Sequence, residues 1–130
     1  MWITPTFNSS DFVAAPSGVW TVREQDLITY EYKIVDDDTM LLNWVIGNTN
    51  VSGLPVDLRM KIPDGYLAVK RIEPPMYYTD GNEVKLMGYA DVNPANPGWI
   101  GHFKFDLSGW KTTSLHNTAL HGSAAFQVTT

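Results

Sequence analysis

With 130 residues, 44% of them hydrophobic and 18% charged, the chain has the composition of one globular domain with a modest core, not of a disordered segment. A net charge of −5, with no basic cluster beyond Lys70-Arg71, sets nucleic acid aside as a partner. The absence of cysteine excludes disulfides, thiolate metal sites and cysteine nucleophiles, and no apolar run approaches the roughly 20 residues that span a bilayer.

The N-terminal MWITPTFNSSDF lacks the basic and apolar regions of a signal peptide. Residues 2–14 have room for a short edge strand, broken by Pro5 and then by Pro16 with Gly18. Val19 to Val22 follows, with Trp20 and Val22 on one face. From Leu27 to Val35 the alternation is clear: Ile28, Tyr30, Tyr32 and Ile34 against Thr29, Glu31 and Lys33. A period of two marks a half-buried strand. Asp36-Asp37-Asp38 is a turn, because Asp bonds neighbouring backbone and tolerates turn dihedrals.

Thr39 to Val45 is apolar on both faces, with Met40, Leu42 and Trp44 against Leu41 and Val45. Such a run predicts a strand covered on two sides. One cover is the domain core. The other is either more of the same domain or a second subunit, which makes Met40, Leu42 and Trp44 candidate interface residues.

Residues 48–55 (NTNVSGLP) read as a polar connection. Val56, Leu58, Met60 and Ile62 then alternate with Asp57, Arg59 and Lys61, and Pro63-Asp64-Gly65 ends that strand. Tyr66 to Ile72 has the pattern of another strand, stopped at Pro74-Pro75. Met76 to Thr79 leads into Asp80-Gly81-Asn82, a hairpin signal. Glu83 to Val92 places Val84, Leu86, Gly88, Ala90 and Val92 together. Residues 93–98 (NPANPG) are a loop, and Trp99 to Leu107 alternates again with Trp99, Gly101, Phe103, Phe105 and Leu107 on one side. Residues 108–115 read as a loop or one helical turn, and Ser123 to Thr129 is a last strand with Ala124, Phe126 and Val128 on one face. The sum is one all-β domain over 1–130: an antiparallel β-sandwich, jelly-roll-like, of eight to ten strands.

Motifs for catalysis are missing: there is no GxSxG, P-loop, GxGxxG or HExxH. His102 falls on the polar side of a strand pattern, and His116 and His121 lie five apart in a loop. That spacing matches no familiar zinc motif, so no metal or other cofactor is expected. The acidic run at Asp36 is too short for a calcium loop, and Asp80, Asn82 and Glu83 sit at a hairpin tip. An aromatic ring beside amide and carboxylate groups is the usual chemistry of sugar binding. On that ground Tyr77, Tyr78, Asp80, Asn82, Asn96, Trp99 and Trp110 are the candidate ligand-binding residues. The competing reading puts Trp99 and Trp110 in the core or at a subunit contact, and splits Tyr77 and Tyr78, one in and one out, as strand neighbours must be.

The elements Trp20-Thr21-Val22, Asp26 to Tyr32, Thr39 to Trp44, Val51 to Leu58 and Ile62 to Tyr66 together resemble small β-domains of bacteriophage tail fibres and related phage structural proteins. The resemblance covers about a third of the chain, and the C-terminal half has no comparable signature. It implies a jelly-roll-like knob, homotrimeric, located on a virion, that assembles with other virion proteins or binds a glycan or protein receptor on a host surface. A fibrous shaft, usual before such a knob, is not in this sequence. Two other classes stand beside this one. A monomeric carbohydrate-binding module would use the loop aromatics. A cupin-type enzyme would need a metal held by two or more histidines and a carboxylate.

Overall fold

The structure is a computed structural model that describes residues 1–130. It has ten strands: β1 (Phe12–Ala15), β2 (Val19–Thr21), β3 (Leu27–Val35), β4 (Thr39–Ser52), β5 (Asp57–Lys61), β6 (Leu67–Ala68), β7 (Pro75–Asp80), β8 (Leu86–Val92), β9 (Trp99–Lys104) and β10 (Thr118–Thr129). The only helical segments are single turns at Ser9–Asp11, Glu24–Asp26 and Pro63–Gly65. The all-β expectation therefore holds.

All pairings are antiparallel, and the strands form one sheet in the order β1-β5-β9-β8-β7-β10-β4-β2. β3 joins it on β4, and β6 on β10. The sheet rolls into a nearly closed barrel, because β1 and β2, at opposite ends of that order, lie side by side. The corner between them is tight. Gly18 has φ +97°, and a Cβ there would sit 2.2 Å from the Ser52 carbonyl oxygen, so only glycine fits.

The inward faces make one core of 24 buried residues. Met40, Leu42, Trp44, Ile46, Leu58, Met60, Ala90, Val92, Ile100 and Leu120 have no exposed surface. This corrects the reading of Met40, Leu42 and Trp44 as a subunit interface. They fill the chain's own barrel, while Leu41 and Val45 take the outer face, half-buried between β3 and β10. A long central strand inside a strongly rolled sheet is covered on one side by its own core and shaded on the other by neighbouring side chains. No second subunit is needed to account for its apolar pattern.

Other differences have local causes. β4 runs through Asn48-Thr49-Asn50, read above as a connection, because this polar stretch pairs with β2 and β10. Buried Thr49 accepts a bond from Trp20 Nε1 at 3.0 Å and donates to the Thr118 carbonyl at 2.7 Å. Ile28 leaves the inward set, with 63% of its surface exposed, since a register shift between Leu27 and Thr29 turns it outward. In β9 the faces are reversed. Ile100, His102 and Lys104 point in, and Trp99, Phe103 and the following Phe105 point out. The period was legible but its phase was not, and a one-residue change of phase moves every side chain to the other face. The segment Tyr66 to Ile72 supplies only two-residue β6 and one isolated bridge, Ile72 to Val92.

Candidate functional site

The reversed face of β9 builds the most distinctive surface of the barrel. β7, β8 and β9 are neighbours, and their outward residues fall in register: Tyr77 opposite Met87, and Tyr89 opposite Phe103. The Tyr89 ring lies between two others. It stacks on Phe103 at 5.4 Å and 18° and on Phe105 at 5.8 Å and 29°. Cross-strand aromatic pairs of this kind hold each other on a sheet surface. Tyr77, Met87 and Phe105 are 51%, 48% and 64% exposed. The three strands thus present a contiguous apolar, largely aromatic patch to solvent.

The surroundings of the patch are polar. His121 of β10 is opposite Tyr77, and its Nδ1 lies 3.4 Å from Lys85 Nζ. Partial burial, followed by the Lys85 charge, holds this imidazole below its ordinary pKa. On the other side, Arg71 pairs with Asp91 at 3.3 Å. Burial raises the Tyr89 hydroxyl, with Glu73 and Asp91 adding to the effect. Beside Tyr77 is a shallow depression of about 290 Å³, bordered by Val45, Pro75, His121 and Ser123.

Of the predicted ligand residues, only Tyr77 belongs to this patch. Tyr78 points into the core and meets Trp110 edge to face at 4.9 Å. Trp110 has no exposed surface, and its Nε1 donates to the Val56 and His102 carbonyls at 3.1 and 3.3 Å. Asp80 is also buried. It accepts from Lys104 Nζ and, at 2.9 Å, from the Lys111 backbone N–H. Lys104 donates further to the Gly109 carbonyl at 2.8 Å and lies 5.3 Å from the centre of the Trp110 ring. Tyr78, Asp80 and Trp110 are therefore withdrawn as ligand contacts. They anchor the loop after β9 to the end of the barrel, because a buried charge needs partners on every side.

Asn82 and Asn96 are exposed, and Trp99 is half-buried. Asn82 Oδ1 accepts from Asn117 Nδ2 at 2.8 Å, and the Asn96 carbonyl accepts from the Trp99 N–H at 3.1 Å. They do not form a joint site. Asn82 precedes β8 and Asn96 follows it, so the seven residues of that strand, roughly 23 Å, separate them. Met87, Tyr89, Phe103 and Phe105 were not among the sequence candidates. The available signal was the run His102-Phe103-Lys104-Phe105, in which either alternate set has a reason to be outside.

The three histidines have three unrelated environments. His102 is fully buried between Trp20 and Trp44, with ring centres at 6.4 and 5.7 Å. His116 Nδ1 meets Asn50 Nδ2 at 3.1 Å, and His121 meets Lys85. They do not converge as a cupin-type centre requires, and no group of three or more His, Asp and Glu side chains is placed to hold a metal ion. Comparison with known proteins finds no matching family model, no matching curated protein and no matching solved structure.

Proposed function

We propose that this chain is a non-enzymatic attachment or assembly domain of the phage tail-fibre kind, working as a homotrimeric knob. Its contact surface is the patch of Tyr77, Met87, Tyr89, Phe103 and Phe105. The observation that carries the reading is a stack of aromatic rings, Tyr89 and Phe103 on the sheet and Phe105 in the turn after β9, that keeps exposed surface. A core residue gains from leaving water, whereas these rings are ordered against one another and still wet. Large exposed apolar patches rimmed by polar groups mark interaction sites. Tyr and Phe on β-strands lose little entropy on contact, because two side-chain torsions set them and the sheet fixes the backbone.

The second reading, a monomeric carbohydrate-binding module, draws on the same patch. Phe105 ends the stack and is its most exposed ring. An exposed aromatic face packs on the C–H face of a sugar. The two readings separate on solution mass, so light scattering on a sizing column over a range of concentrations is the first test. A mass of three protomers that persists on dilution supports the knob. A monomer removes it and leaves the carbohydrate-binding reading, which glycan screening then tests. The double variant Tyr77→Ser/Phe105→Ser is expected to stay folded and to lose only about 1–2 kcal/mol of unfolding free energy, since it gives up the stacking of Phe105 on Tyr89 but no core residue. It should weaken trimer or glycan binding by tenfold or more, and unchanged mass and binding would remove the patch as the contact surface.

A further inference from the structure

The turn between β7 and β8 and the loop after β9 face each other and enclose a cleft of about 430 Å³. Asn82 and Glu83 come from the turn, and Lys111, Thr112, Ser114 and Asn117 from the loop. The loop is tied down at several points. Buried Asp80 accepts the Lys111 N–H at 2.9 Å, and the His116 N–H donates to Asn50 Oδ1 at 2.7 Å. Between them Thr113 is held by backbone and side chain. Its N–H donates to the Val51 carbonyl at 2.7 Å, and its hydroxyl accepts the Val51 N–H at 3.1 Å.

These bonds leave the hydroxyls of Thr112 and Ser114 unused. The two amides meet across the cleft, where Asn117 Nδ2 donates to Asn82 Oδ1 at 2.8 Å. That contact spends one donor and one acceptor. Asn82 Nδ2 keeps both its hydrogens, and Asn117 Oδ1, shielded from water, accepts nothing from the protein. A shielded acceptor without a donor is costly. Glu83 and Lys111 are the only charged residues of the lining, and they pair with each other. The cleft therefore has no net charge with which to hold a phosphate, a carboxylate or a metal cation. Its one apolar residue, Leu115, is 73% exposed, so the cleft has no floor for a hydrocarbon ligand.

We propose that this cleft binds one unit of an uncharged saccharide. Spare donors beside spare acceptors, with the charges cancelled, match hydroxyl groups, because each hydroxyl both donates and accepts. One sugar hydroxyl can accept from Asn82 Nδ2 and donate to Asn117 Oδ1, which completes both amides. Its neighbours on the ring can bond Thr112 and Ser114, and Leu115 offers a surface for a C–H face. The volume falls within the roughly 300–1,000 Å³ of small-ligand sites. A loop already pinned to Asp80, Asn50 and Val51 has little freedom left to lose on binding. The cleft shares no residue with the aromatic patch, and it does not depend on whether the protein is a trimer or a monomer.

A nuclear magnetic resonance titration of the isotope-labelled full chain with maltose, cellobiose, lactose and chitobiose tests the site. The expected result, with at least one of these sugars, is a saturable shift of the backbone amides of residues 82–83 and 111–117 and of the Asn82 and Asn117 side-chain amides. Shifts confined to Tyr77, Met87, Tyr89 and Phe103 would place the sugar on the patch. That outcome overturns the cleft and leaves the carbohydrate-binding reading of the patch in place. No saturable shift with any of the sugars overturns the cleft as well. Inorganic phosphate and calcium chloride are the controls, and cleft signals that answer to either ion and to no sugar overturn the assignment to a neutral ligand. The double variant Thr112→Ala/Ser114→Ala removes two exposed hydroxyls that tie down no part of the loop. It is expected to keep its spectrum and its unfolding midpoint and to bind the sugar about tenfold more weakly, as the loss of two neutral hydrogen bonds implies. Unchanged affinity in that variant overturns the placement of the sugar in the cleft.

Discussion

His102 shows how one residue can carry an element of acid sensitivity. Its Nδ1 lies 2.8 Å from the Leu58 carbonyl, the arrangement of a neutral ring that donates there. Its Nε2 has no partner, and burial pushes the imidazole pKa down to about 4 from 6.5. The unfolded chain therefore takes up a proton between these values that the folded chain refuses. Stability from this group is complete above about pH 6.5 and is lost as the pH falls toward about 4, by up to about 3 kcal/mol. Asp57 opposes it. Burial raises this carboxyl above its usual range, so its contribution is lost as the pH rises through that raised range. Urea unfolding at pH 7, 6 and 5 is expected to show falling stability, and the slope should flatten in His102→Gln even if that variant is weaker throughout. An unchanged slope would take the titration away from His102.

At the scale of elements, β10 and β4 show how a sheet makes room for a large ring. Gly122 is paired with Trp44, and a Cβ on Gly122 would lie 2.2 Å from Trp44 Cζ2. The indole passes under the glycine because there is no side chain to stop it. Gly122→Ala forces the ring or the strand to move, and overpacking of this kind costs about 1–3 kcal/mol. The expected outcome is a lower midpoint of thermal unfolding with altered tryptophan fluorescence. A variant as stable as the parent would mean that the ring has another place to go. The hairpin between β3 and β4 is a contrasting case that was legible locally. Asp36 and Asp37 take φ of 53° and 64°, which Asp tolerates better than most residues.

For the whole molecule, the order of the strands matters more than their number. β5 pairs with β9, and β4 pairs with β10, so each half of the chain completes the other. No half has a closed core of its own, and unfolding should be all-or-none. Denaturation curves from far-ultraviolet circular dichroism and from tryptophan fluorescence are expected to coincide. Separate transitions would show that part of the barrel stands alone. The inward faces are filled, so what the fold leaves open is on its outside: the free side of β3 and the patch on β7, β8 and β9.

The sequence by itself determined the all-β class, the acidic turn at Asp36, most strand positions and the alternation within them. These follow from period-two patterns and turn residues, which are local. It also separated Tyr77 from Tyr78, since strand neighbours must face opposite ways. Only the tertiary structure decided which face of each strand looks inward. The phase of β9 depended on a lysine finding a buried carboxylate twenty-four residues away and a histidine finding the Leu58 carbonyl. With that phase set, Phe103 and Phe105 went outward to join Tyr89, and Trp110 and Asp80 left the surface. Met40, Leu42 and Trp44 likewise became core because ten strands rolled into a barrel around them. Pairing across long separations fixes such choices, and no window along the chain contains both partners.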